Sequence, residues 1–63
     1  MTGPSALPSD TLALTAAWLE QRAEALHRDA LTSGGPQAAA LLVRATECWR
    51  AARLLRAQLE EGA

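Results

Sequence analysis

The sequence predicts an all-α fold: an antiparallel two-helix hairpin that completes a four-helix bundle by dimerising or by docking on a partner. Three observations predict it. Apolar residues recur at alternating four- and three-residue steps through two long segments, the period of about 3.5 that marks a helix-packing seam. The run Thr32-Ser33-Gly34-Gly35-Pro36 separates the two segments, and glycine followed by proline is a stop and a restart for helix. The chain is rich in Ala, Leu, Arg, Glu and Gln and has no Tyr or Phe, so residue preferences favour helix over strand.

Residues 1–8 hold Gly3, Pro4, Ser5 and Pro8, a breaker-rich composition that reads as a flexible N-terminal arm. The hairpin is expected over 9–61, as a helix 9–33, a turn 33–36 and a helix 36–61. Ser9 suits an N-cap, and Asp10 follows it where a carboxylate meets the positive end of the helix dipole. The first seam runs Leu12, Ala16, Leu19, Ala23, Leu26, Ala30, with leucines at one position and alanines at the other. Gly34 can take the left-handed conformation that ends this helix, and Pro36 is preset for the first position of the next. The second seam runs Ala38, Leu41, Ala45, Cys48, Ala52, Leu55, Leu59. Acidic Glu60 and Glu61 sit badly with the negative end of a helix, so the last turn is expected to fray. Alanines along both seams let the backbones approach toward the close end of the usual 8–10 Å separation.

Sixty-three residues make one small domain at most, and a chain of this size leaves much of its surface uncovered. The net charge of −1, with no lysine, argues against nucleic acid and against anionic membrane. Charge is divided between the helices. Up to Arg56 the second carries four Arg and one Glu, while the first carries four acids and two Arg, and opposite signs favour their pairing. Cys48 is the single cysteine, so neither an intrachain disulfide nor a zinc-finger pattern supports the fold. No basic, apolar leader and no run of about 18 apolar residues is present, which reads as a cytoplasmic chain.

Several large apolar residues fall outside the seams. Leu14 and Trp18 lie four apart on the first helix, Leu42 and Trp49 seven apart on the second, and Leu54 adds a further group. A lone hairpin cannot bury them all, and aromatic residues are favoured anchors at interfaces. Leu14, Trp18, Leu42, Trp49 and Leu54 are therefore the expected partner-binding residues. Leu14, Trp18 and Leu54 are expected to gather toward the open end.

Residues suited to chemistry are sparse. Glu24 and His27 have the Glu-x-x-His spacing of carboxylate-bridged di-iron bundles, with Glu20 one turn earlier. That site wants a second inward carboxylate, and Glu47 falls beside the opposite seam, so a solvated flank with Glu24 pairing Arg28 accounts for the same residues. Cys48 stands in the seam as a small hydrophobe, and His27 is expected opposite position 42, too far from the thiol to serve as its base. Gly34-Gly35 has no preceding strand or lysine, so it makes no phosphate loop. No catalytic residue, metal site or cofactor is expected, and no small-molecule substrate. The chain is not expected to be an enzyme.

With its Gly34-Gly35 turn, flanking Leu/Ala seams and large apolar flank, the chain resembles the helical-hairpin co-chaperones of type III secretion needle subunits. It also resembles Rop-like hairpin dimers in length and in the layering of small and large residues. The first resemblance implies a chaperone-like subunit that holds another protein, the second a self-associating four-helix bundle acting as a scaffold or a small RNA-binding regulator. The expected function is a non-enzymatic protein–protein interaction module, whose partner is another protein or a second copy of the chain, with a metal-binding helical bundle using Glu20, Glu24 and His27 as a further alternative.

Overall fold

The computed structural model describes residues 8–62. Two helices, α1 (Pro8–Thr32) and α2 (Gly35–Gly62), account for all of them except Ser33 and Gly34, and the helices pack on each other along their length as a hairpin. Apart from Pro8, the expected arm lies outside the described residues. α1 starts at Pro8, one residue before the expected Ser9. A proline costs nothing at a helix start, because its fixed φ is already helical and its missing N–H would have no partner there. Asp10 takes its expected place in the first turn.

The turn is built from side chains as well as glycines. The hydroxyls of Ser33 and Thr32 donate to the Asp29 carbonyl at 2.8 and 3.1 Å, and the Ser33 N–H donates to the Ala30 carbonyl at 3.3 Å. Carbonyls that the helix end would leave unpartnered are thereby satisfied. Positive φ falls on both Gly34, at 136°, and Gly35, at 61°, so two glycines share the reversal that had been expected of Gly34 alone. The Ala38 N–H donates to the Gly34 carbonyl at 3.4 Å and closes the first turn of α2. Pro36 is the second residue of α2 rather than the first. At the far end α2 continues through Glu60 and Glu61 to Gly62, where fraying was expected.

The seams are those the spacing predicts, and their two positions are buried to different depths. Ala16, Ala23 and Ala45 are wholly inaccessible, Ala52 and Ala30 nearly so, and these five alanines are the whole buried core among the described residues. Leu12, Leu19, Leu26, Leu41, Cys48, Leu55 and Leu59 are only half-buried. Small side chains at the centre of the contact bring the backbones together, which leaves the leucines to lie along the groove edges with one side in solvent. No large side chain among the described residues is fully buried. The molecule is 12 Å thick in its shortest dimension, about the diameter of one helix. It is therefore a single layer with two broad faces, and among the described residues nothing covers either.

Two outcomes follow from this packing. Ala23→Leu forces bulk between backbones that touch and is expected to cost about 1–3 kcal/mol, read as a lower thermal midpoint by circular dichroism. Ala39→Leu, at an exposed α2 position, should leave that midpoint nearly unchanged. At Gly35 nothing lies within 4 Å of an added Cβ, so Gly35→Ala tests backbone conformation alone and should cost roughly 1–2 kcal/mol, the penalty of a left-handed L-residue.

Candidate interaction faces

Each broad face carries one tryptophan, and the seam geometry decides which. On the first face Glu20 and His27 of α1 meet Arg56 and Trp49 of α2. Arg56 grips Glu20 side-on, with Nε donating to Oε2 and Nη2 to Oε1, both at 2.8 Å. The His27 and Trp49 rings lie 5.8 Å apart, tilted by 57°. His27 had been expected opposite position 42 and instead reaches Trp49. Helical side chains lean toward the N-terminus of their own helix. In an antiparallel pair that lean draws each α1 residue toward an α2 residue farther from the turn. Glu20 and Arg56 meet by the same offset.

This pair is the one ion pair among the described residues, so Glu24 and Arg28 do not form the pair that their spacing suggested. The hydrogen bonds from Arg56 hold the Glu20 carboxyl below its ordinary range; burial opposes them, and the Arg56 charge adds a lesser lowering. Arg56 is shifted up by the same contact. A carboxyl whose pKa is lowered by folding stabilises the fold above the ordinary carboxylate range, and that contribution disappears as pH falls through the lowered value. Thermal midpoints measured from neutral to acid pH should therefore fall less steeply for Glu20→Gln than for the wild-type chain. Superimposable acid limbs would show that the pair does not hold the hairpin.

Arg53 and Glu60 line the same groove as Glu20, Trp49 and Arg56. Leu42 lies two turns from Trp49 toward the hairpin turn and is 42 % exposed, while Trp49, partly covered by His27, is 39 % exposed. The second face holds Trp18, which lines a groove with Arg22, Leu26 and Asp29. The Arg22 guanidinium sits 5.7 Å from the Trp18 ring centroid, where a cation is attracted to the π face. Arg22 and Leu26 border Arg44, Glu47, Cys48 and Ala51 across the groove. Leu54 lies about half a helical turn around α2 from the buried Ala45 and Ala52 and so is on the outer edge of α2, and Leu14, on the side of α1 away from the buried Ala16 and Ala23, is on the outer edge of α1.

The five expected partner-binding residues are all exposed, but the structure does not bring them into one surface. Trp18 is on one face and Leu42 and Trp49 belong to the other, while Leu14 and Leu54 are on the opposite outer edges of α1 and α2, so Leu14, Trp18 and Leu54 do not gather as expected. Leu31 and Val43, at 74 % and 58 % exposed, are further large apolar groups that the sequence reading passed over. The signal that singled out Leu42, an apolar side chain outside the seam, applies equally to both.

His27 lies tilted against Trp49 on the first face, whereas Cys48 borders the groove on the second, so thiol and imidazole are not juxtaposed. Glu20 is engaged by Arg56, and no group of three His, Cys, Asp or Glu side chains converges among the described residues. No helix among the described residues is long and apolar enough to cross a membrane. Compared with family models, curated proteins and solved structures, the chain matches none of them.

Proposed function

We propose that this chain is a non-enzymatic protein–protein interaction module, an adaptor or chaperone-like subunit that packs its apolar helical faces on a partner protein. One observation carries the reading. The hairpin buries five alanines and no large side chain, while Leu14, Trp18, Leu31, Leu42, Val43, Trp49 and Leu54 remain exposed. A buried methyl contributes about 0.8 kcal/mol and a fully buried leucine or larger side chain roughly 1.5–3 kcal/mol. A large part of the apolar free energy available to this sequence is therefore realised only when something covers the exposed apolar surface, since the seam leucines are themselves only half-buried. Tryptophan is a favoured anchor for such contacts, since its area is large and its rotamers few.

Trp18 is the anchor on which the adaptor reading turns. It is 58 % exposed, has Arg22 poised over its ring, and shares its groove with Leu26. Native mass spectrometry of the chain isolated from its own cell reads its bound partner and copy number together. Trp18→Ala is expected to remove the partner protein while leaving the helix content intact by circular dichroism. Unchanged stability, copy number and bound protein in that variant would overturn the assignment of this face.

A further inference from the structure

The other broad face carries its own pattern of charge. Its α1 column presents Glu20, Glu24, His27 and Leu31, placed on one side by three- and four-residue spacing. Its α2 column presents Leu42, Trp49, Arg53 and Arg56, with Glu60 at the far end. Acids thus line one edge near mid-helix and arginines the other. Glu20 and Arg56 neutralise each other within the chain, whereas Glu24 and Arg53 are exposed and have no ion-pair partner among the described residues.

We propose that this face binds a second copy of the chain, closing a two-fold four-helix bundle with both turns at the same end. The charge pattern selects the occupant and the arrangement together. A two-fold axis along the length of the hairpin lays the α1 column of each copy on the α2 column of the other, so acids meet arginines twice. An axis across the helices would set Glu20 and Glu24 against their own copies, and like charges so placed disfavour association.

The heights agree as well. Rotation about the long axis preserves height, so residues level within one chain are level between copies. The Glu20–Arg56 and His27–Trp49 contacts define that level. Glu24 and Arg53 lie one turn from the first contact, both toward the hairpin turn, and so face each other across the interface. Leu31 and Leu42 lie one and two turns from the second, again toward the hairpin turn, and extend it as a staggered apolar layer with the two side chains about one turn apart in height. Trp49 and its partner copy fill the space between these layers. The interface uses the face opposite Trp18, so a dimer leaves the Trp18 face open for another protein.

This assignment rests on reading the chain as an interaction module, and sedimentation equilibrium of the full chain tests it separately. The wild-type chain should be a dimer at micromolar concentration. Glu24→Arg and Arg53→Glu each place like charges at two symmetric positions, and each should weaken dimerisation by about tenfold or more. The double variant E24R/R53E restores opposite charges and should recover most of the affinity. Circular dichroism of the single variants, at a concentration high enough to keep them dimeric, should show the wild-type helix content, since both side chains are exposed. A monomeric wild-type chain, or single variants that dimerise like wild type, would overturn the proposal. Weak single variants without recovery in the double variant would overturn the pairing on which it is built. A wild-type monomer that still holds a protein through Trp18 sinks the dimer and leaves the module standing. A chain that neither self-associates nor holds a partner sinks both.

Discussion

Two long helices can approach closely only where neither presents bulk. Here that condition is met by Ala16, Ala23 and Ala30 on α1 and by Ala45 and Ala52 on α2. The rest of the molecule depends on it. Because the backbones meet at alanine, the seam leucines are displaced to the groove edges and only half-buried. Because the leucines stop there, nothing large is enclosed, and the hairpin remains one helix thick. The same close approach brings Glu20 within reach of Arg56 and His27 within reach of Trp49, contacts that fix the sliding register more sharply than alanine methyl groups can. Alanine seams are permissive about register, since one small side chain resembles the next, so a bidentate ion pair and a ring contact supply the specification the seam lacks.

The fold was legible in the sequence because every signal agreed. The period of the apolar residues, the Gly34-Gly35-Pro36 break and the residue preferences all asked for two helices and a turn, and each seam residue lies between the helices as the spacing required. The ends were less legible. Whether α1 starts at Ser9 or Pro8 is decided by backbone geometry that both residues tolerate, and whether α2 frays at Glu60 rests on dipole effects worth only about 0.3–1 kcal/mol. His27 was placed wrongly because residue counting treats side chains as perpendicular to the helix. Their lean toward the N-terminus moves the contact from position 42 to Trp49.

The interaction residues were legible one at a time and not as surfaces. Apolar character outside the seam identified Leu14, Trp18, Leu42, Trp49 and Leu54 individually, and exposure agrees for each. Their division between two faces and two outer edges follows from the direction in which each departs from the seam. Reading that direction requires knowing which α2 residues flank which side of α1, and the Glu20–Arg56 contact supplies it. One face then holds Trp18 beside Arg22, and the other holds Trp49 between an acidic and a basic edge. The proposed dimer and the proposed partner protein would each take one of these faces, which makes the chain a connector under that proposal.

The central claim is that the hairpin's own core is too slight to stand without a covered face. The thermal midpoint of the purified chain, followed by circular dichroism over a hundredfold range of concentration, tests this most directly. If association supplies the missing burial, mass action raises the midpoint as concentration rises. A cooperative transition whose midpoint stays fixed across that range would contradict the account, because it would mean that five alanines and a half-buried row of leucines suffice.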